Sequence, residues 1–339
     1  MVVLDPGSPY DSINVFMTGA DEFRVGQHVL ARGTYYDSAT RHWIQATSMT
    51  LVGASPSPSP TSTDGGPSPS PRPSATPRPS PTPHSGSVDH VIVIMMENKG
   101  RSEIVGNSQA PYVNSLLSRG ADMTNSFDIG HPSEPNYEAL YSGSVQGLLG
   151  TDSCPHTFSA PSLGGEAASF KWYAESMQGV GNPACWQGGN DPVGNAYYGR
   201  KHVVMFNHSD TPANDGVPYS QLAGDMANNT VPQLAFVSPN QCDDMHDACG
   251  GPEIVNGDAW LASNLPAMIA YADAHNGMVV LTWDEDDNGS GRITTLFIGP
   301  MIKIGSYNEQ IDHYNVLATI CQKLGLTNLG SSPVTDIFR

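Results

Sequence analysis

The sequence is poor in charge, and poorer still in positive charge. Charged residues make up 14% of the 339-residue chain, with 15 Lys+Arg against 33 Asp+Glu and a formal net charge of -18. So few cations exclude a general nucleic-acid binder, because phosphate backbones are held by Lys and Arg. They equally exclude electrostatic docking on anionic lipid. No apolar run reaches the roughly 18 residues that a membrane-spanning helix needs. The opening MVVLDPGSPY lacks the basic start and apolar stretch of a signal peptide. No Cys-x-x-Cys pair occurs, so the cysteines do not match a zinc site.

Five cysteines are present, at Cys154, Cys185, Cys242, Cys249 and Cys321. Cys242 and Cys249 are near enough to close a short loop, and Cys154 and Cys185 could close a longer one. The expectation is two disulfides and one buried thiol, the alternative being five reduced, buried cysteines. Disulfides imply a secreted or cell-surface protein, and a missing signal then implies a fragment or a matured chain.

Gly (35) and Pro (28) are abundant and unevenly spread. Between Ala54 and Ser87 the text is almost entirely Pro, Ser, Thr and Gly, which cannot bury enough apolar surface to offset its ordering entropy. The chain therefore reads as three parts: a partial β-rich, OB-like module at 1–53, a disordered linker at 54–87 and a catalytic domain at 88–339. In the first part Val25–Gly33 and Trp43–Val52 alternate apolar and polar residues as half-buried strands do, with a turn at Tyr36–Arg41. In the last, Val88–Met96 and Met278–Trp283 are near-continuous apolar runs, the pattern of strands buried on both faces. Val203–Phe206, Gln233–Val237 and Thr294–Ile298 read as further strands. Tyr112–Arg119, Asn136–Tyr141, Asp258–His275 and Asn315–Leu324 read as helices. Strands alternating with helices predict an α/β fold, a three-layer α/β/α sandwich on a mostly parallel sheet.

In such sheets the site lies beyond the carboxyl ends of the strands. Glu97-Asn98 follows one apolar run and Asp284-Glu285-Asp286-Asp287 another, nearly 190 residues apart. Each alone reads as a helix cap or a solvated turn. Together they collect oxygen ligands that suit a divalent cation, which would also relieve their mutual repulsion. Ser133, in HPSEPNY, stands where a helix start would favour a bound phosphate, although an isolated serine there is ordinarily only a cap.

The set ENKG, APYVNSLL, HPSEPNY, SGS and WDEDDN, with DHYNVLATI near the end, resembles the phosphoesterase family of the alkaline phosphatase superfamily over about Val88–Phe338. That family includes secreted bacterial acid phosphatases, some acting on phosphatidylinositol 3-phosphate, and phospholipases C. The resemblance implies an alkaline phosphatase-like fold. It implies a metal set of Glu97, Asn98, Ser133, Asp284 and Glu285, with Ser133 as nucleophile and His246 at the phosphate. His131 and Asn136 would touch the phosphoryl oxygens. Apart from the resemblance, one of Asp243, Asp244 and Asp247 would orient His246, the alternative being that they only keep a disulfide loop soluble, and His313 would approach from the start of the last helix or only cap it. His156, His202 and His208 have no partner at metal spacing and read as structural or surface residues. Asn207-His208-Ser209, Asn228-Asn229-Thr230 and Asn288-Gly289-Ser290 fit the glycosylation pattern but carry little weight in so polar a chain.

The expected activity is a metal-dependent phosphomonoester hydrolase of acid phosphatase type, working through a phosphoserine. The ion would be Ca, Mg or Zn, the substrate a small phosphomonoester or phosphoinositide, and the protein a monomer. The rival enzyme is a phospholipase C-like phosphodiesterase using the same residues. A rival of another class is a non-catalytic surface-binding module whose acidic loops hold calcium.

Overall fold

The computed structural model describes residues 87–339, apart from residue 193, and the backbone of three strands in the N-terminal part. The chain divides into two compact units, Met1–Thr76 and Pro77–Arg339. In the first, His42–Leu51 lies between Asn14–Phe16, to which it runs parallel, and Val29–Asp37, to which it runs antiparallel. Strand Val29–Asp37 runs through Tyr36 and Asp37, two residues expected in the turn. The linker expected at 54–87, Ser87 excepted, and the closure of an OB-like barrel lie outside the described residues.

The second unit is built on an eight-stranded sheet. Its strands are β1 His90–Met96, β2 Ala121–Met123, β3 Phe170–Ala174, β4 Gly216–Pro218, β5 Leu234–Ser238, β6 Gly277–Trp283, β7 Thr295–Ile298 and β8 Gly305–Tyr307. The order is β4-β3-β5-β1-β6-β7-β2-β8, and only β7 runs antiparallel to its neighbours. The helices that matter here are α1 Pro111–Leu116, α2 Ser133–Ser142, α3 Glu253–Ala274 and α4 His313–Leu324.

The apolar run of β1 is buried on both faces because its alternate residues feed two cores. Val91, Val93 and Met95 pack with Tyr137, Leu140 and Tyr141 of α2 and Val316, Leu317 and Ile320 of α4. Ile92, Ile94 and Met96 pack on the other side with Val113 and Leu116 of α1 and Trp260, Leu261 and Leu265 of α3. Each such side chain removed from water contributes about 1.5–3 kcal/mol. This is the three-layer arrangement the sequence predicts. Register carries it to the site: β6 pairs with β1 from Gly277↔His90 to Trp283↔Met96, so both strands end together. Glu97 and Asp284 are the next residues, and Asp284 N still donates to Met96 O at 2.8 Å.

Two expectations are corrected. Val203–Phe206 is not a strand, since Val204–Asn207 forms a 3-10 turn. The apolar run does signal burial, but the buried Arg200 guanidinium donates to Phe206 O and Asn207 Oδ1, and that curls the segment. Helix α2 begins at Ser133 rather than Asn136, with Pro132 as its cap. All ten of its residues are buried.

Candidate active site

Four segments meet beyond the ends of β1, β5 and β6. Glu97 N donates to Asp244 O at 2.8 Å, and Asn98 N donates to Asp284 Oδ1 at 2.9 Å. Asn98 takes a left-handed φ of 52°, which asparagine tolerates better than most residues and which turns the chain out of the strand. From the sheet face opposite α3, the first residue of α2 completes the group: Ser133 Oγ donates to Glu97 Oε2 at 3.0 Å. One turn on, the Tyr137 hydroxyl donates to Glu97 Oε1.

His202 is a member of this group that sequence reasoning missed. It is buried, with Nε2 3.2 Å from Glu97 Oε1 and Nδ1 3.4 Å from Asp244 Oδ2. Its ring stacks on Tyr137 at 5.3 Å, and its carbonyl accepts from Ser238 Oγ at the end of β5. His202 is therefore not a surface residue. The signal was hidden because it lies in the segment misread as leading into a strand. His208 is structural, bonded to Glu138 Oε2 at 2.7 Å.

His246 enters from the loop that the Cys242–Cys249 disulfide closes, and Glu97, His202 and His246 place ligand atoms within 4.8 Å of one another. Asp247 Oδ1 holds His246 Nδ1 at 2.8 Å, so Asp247 is the acid that orients it. His246 Nε2 faces Lys201 Nζ at 3.2 Å, and Lys201 also reaches Asp152 Oδ2 at 3.1 Å. These two side chains open onto a cleft of about 420 Å³ walled by Trp186, Asn195 and Gln241. The second disulfide, Cys154–Cys185, ties the segment of Asp152 to the strand that carries Trp186, and Cys321 is a buried thiol.

Glu285 turns away from Glu97, towards His131 Nδ1 (3.2 Å) and Asn136 Nδ2 (3.2 Å). Asn136 is buried and fully engaged, since its Oδ1 accepts from Ile129 N and its Nδ2 also donates to Gly130 O. It meets the site through Glu285 and the loop it braces. His313 supports the floor, with Nε2 2.6 Å from Asp284 O. Asn207 is buried, so its glycosylation match is out of reach.

The electrostatics are those of an anionic hole. Burial, then the charges of Asp284 and Asp244, raises the Glu97 carboxyl well above its ordinary range. Burial likewise raises Asp244 and Asp284, and with Asp284 nearby it pushes Glu285 up to about 9. Burial drives His202 in the opposite direction, towards the neutral imidazole, helped by Lys201. Asp244 Oδ2, Asp284 Oδ2 and His202 Nε2 are buried without a hydrogen-bond partner. A bare buried polar atom costs about 1–3 kcal/mol, a cost that a bound cation would offset. His202 Nε2 stands near Glu97 Oε1 without a hydrogen bond, as two ligands of one ion would. The donors therefore fit a divalent cation.

The phosphoesterase family model matches residues 106–327. The chain is 40% identical over 259 residues to a phosphatidylinositol-3-phosphatase of Mycobacterium tuberculosis, covering 74% of this chain and 82% of that one. It is 29% identical over 234 residues to an acid phosphatase of Aspergillus fumigatus, covering 63% of this chain and 51% of that protein. An alkaline phosphatase superfamily protein from Vibrio parahaemolyticus shares the fold, with a TM-score of 0.52, 11% identity and coverage of 74% and 72%. On the family match and the Mycobacterium relative together, this chain belongs to the phosphoesterase family and is a phosphoric ester hydrolase.

Proposed function

We propose that the chain is a cation-dependent phosphomonoesterase that works through a phosphoseryl intermediate on Ser133. The observation that carries this reading is the Ser133 hydroxyl at the start of buried helix α2, 3.0 Å from Glu97, in a site where Asp244 and Asp284 each keep one buried oxygen without a hydrogen-bond partner. Glu97, Ser133 and Asp284, with His202 beside Glu97 and Asp244 beside His202, would hold the ion. Asn98 and Glu285 stand at its edge, the one pinned through its backbone to Asp284 and the other turned to His131. When bound, the ion supplies charge that offsets the carboxylates and lowers the pKa of the serine hydroxyl.

The chain's own residues do the rest. Glu97 accepts the hydrogen bond of Ser133 and orients its oxygen for in-line attack on phosphorus. The positive end of α2 and the Lys201 ammonium stabilise charge on the phosphoryl oxygens. The Ser133 Oγ–P bond forms as its hydroxyl proton passes to Glu97 and the ester P–O bond breaks, and the leaving alcohol takes a proton from His246, held by Asp247. Water then attacks phosphorus on the vacated side and gives one proton to His246, while the Oγ–P bond breaks, Ser133 takes its proton back from Glu97 and phosphate leaves.

The Mycobacterium relative's name favours a phosphoinositide as substrate, and the Asn190, Asn195 and Gln241 side chains of the cleft beside His246 suit a small hydroxylated alcohol. Two disulfides favour an exported protein. The test is a phosphate-release assay on p-nitrophenyl phosphate and its bis-ester, before and after chelation. Turnover of the monoester alone, lost on chelation and restored by one added divalent ion, supports the proposal. Full activity after metal stripping removes the ion, and preference for the bis-ester makes the enzyme a phosphodiesterase.

A further inference from the structure

Beside the serine-centred group lies a second one. Asp128, His131 and Asp286 each place one ligand atom within 4.8 Å of the others. They come together because Ser126–Phe127 pairs with Arg292–Ile293, and Asp128 N donates to Gly291 O at 2.9 Å.

Three observations separate this group from an ordinary acidic turn. Asp286 is 1% exposed, and its Oδ1 has no hydrogen-bond partner. Its Oδ2 accepts from Gly291 N and Ser290 Oγ, both at 2.8 Å, so the side chain cannot turn to satisfy the bare oxygen. His131 Nε2 stands 3.4 Å from that oxygen without forming a hydrogen bond to it. Two ligands about 2.1 Å from a tetrahedral ion are about 3.4 Å apart. Finally, His131 Nδ1 lies 3.2 Å from Glu285 Oε2. A metal-bound imidazole commonly gives its remaining N–H to a carboxylate, which leaves the other nitrogen bare for the ion.

We propose that Asp128, His131 and Asp286 form a second divalent cation site, distinct from the one proposed around Glu97 and Asp284. One imidazole and two carboxylates suit a borderline ion such as Zn²⁺ or Mn²⁺. The His131 side chain is 54% exposed, which leaves a coordination position open to solvent two residues from Ser133. An ion there can take a phosphate oxygen of the substrate.

The experiment counts ions. Metal-stripped protein is reloaded with excess Zn²⁺ or Mn²⁺, desalted and measured by mass spectrometry for metal per chain, with circular dichroism as the folding control. Wild type, His131→Ala, Asp128→Asn and Glu97→Gln are compared. Two ions in wild type and one in each variant is the expected result. Two ions retained in His131→Ala overturn the second site. One ion in wild type, kept by His131→Ala and lost by Glu97→Gln, also overturns it. One ion kept by Glu97→Gln and lost by both His131→Ala and Asp128→Asn supports the second site and overturns the first.

Discussion

Ser133 and Glu97, 36 residues apart in the chain, are joined by a 3.0 Å hydrogen bond between buried side chains. The bond links the end of the central strand β1 to the start of helix α2 and sets the direction of the serine oxygen. If that oxygen is the nucleophile, Ser133→Ala removes the covalent route and lowers kcat roughly a thousandfold or more. The substitution deletes one small group, so far-UV circular dichroism stays unchanged. Steady-state phosphate release at saturating substrate checks it, and retained turnover removes Ser133 from the chemistry.

His202 is expected to matter as much as any residue legible in the sequence. It fills the gap between Glu97 and Asp244 and stacks on Tyr137. His202→Asn keeps a polar side chain but loses the ring, and metal affinity falls roughly 10–100-fold. Titration of the stripped protein followed by calorimetry measures this. Unaltered affinity would mean that the ring only packs.

The Cys242–Cys249 disulfide closes the loop that carries Asp244 and His246. Constraining a loop this short contributes roughly 2–3 kcal/mol in the chain-entropy picture. Replacing both cysteines by serine therefore lowers the melting temperature. It also reduces kcat more than it raises KM, because His246 loses its position while the cleft around Trp186 keeps its Cys154–Cys185 tie. A variant with lower stability and an unchanged kcat would uncouple the loop from catalysis.

A pH-dependent stability term is expected from His208 and Glu138. Burial lowers the His208 pKa, but the bond to Glu138 and its charge raise it further, and the net shift is upward. A raised histidine binds its proton more tightly folded than unfolded. The stabilisation is complete below the unfolded value of about 6.5 and is lost as pH rises through the folded value. Melting temperature should fall over that window in wild type and flatten in His208→Gln. Equal slopes in both would discount the pair.

What the sequence revealed, and what it hid, follows from how each residue is placed. Glu97 and Asp284 were legible because each follows an unbroken apolar run, and Ser133 because HPSEPNY resembles the family's motif. The strand register brings the first two together, and helix α2 delivers Ser133 to Glu97. The central strands were legible for the same reason, since burial on both faces leaves an unbroken apolar run. The short strands β2, β4 and β8, with three residues each, offer no period to detect. His202, Lys201 and Tyr137 were hidden because irregular turns and tertiary packing deliver them, and spacing along the chain carries no trace of that. Asn136 was legible as a site residue but not as a fully bonded brace, which only the folded loop around Ile129 and Gly130 reveals.

The central claim is that the oxygen of residue 133 becomes bonded to phosphorus during turnover. Rapid acid quench of enzyme with excess phosphomonoester, followed by peptide mass spectrometry, tests it most directly. A phosphoryl group on the peptide bearing Ser133, forming and decaying at rates that account for kcat and absent from Ser133→Ala, is the predicted result. Full turnover with that peptide unmodified at every quench time, across the active pH range, would contradict it.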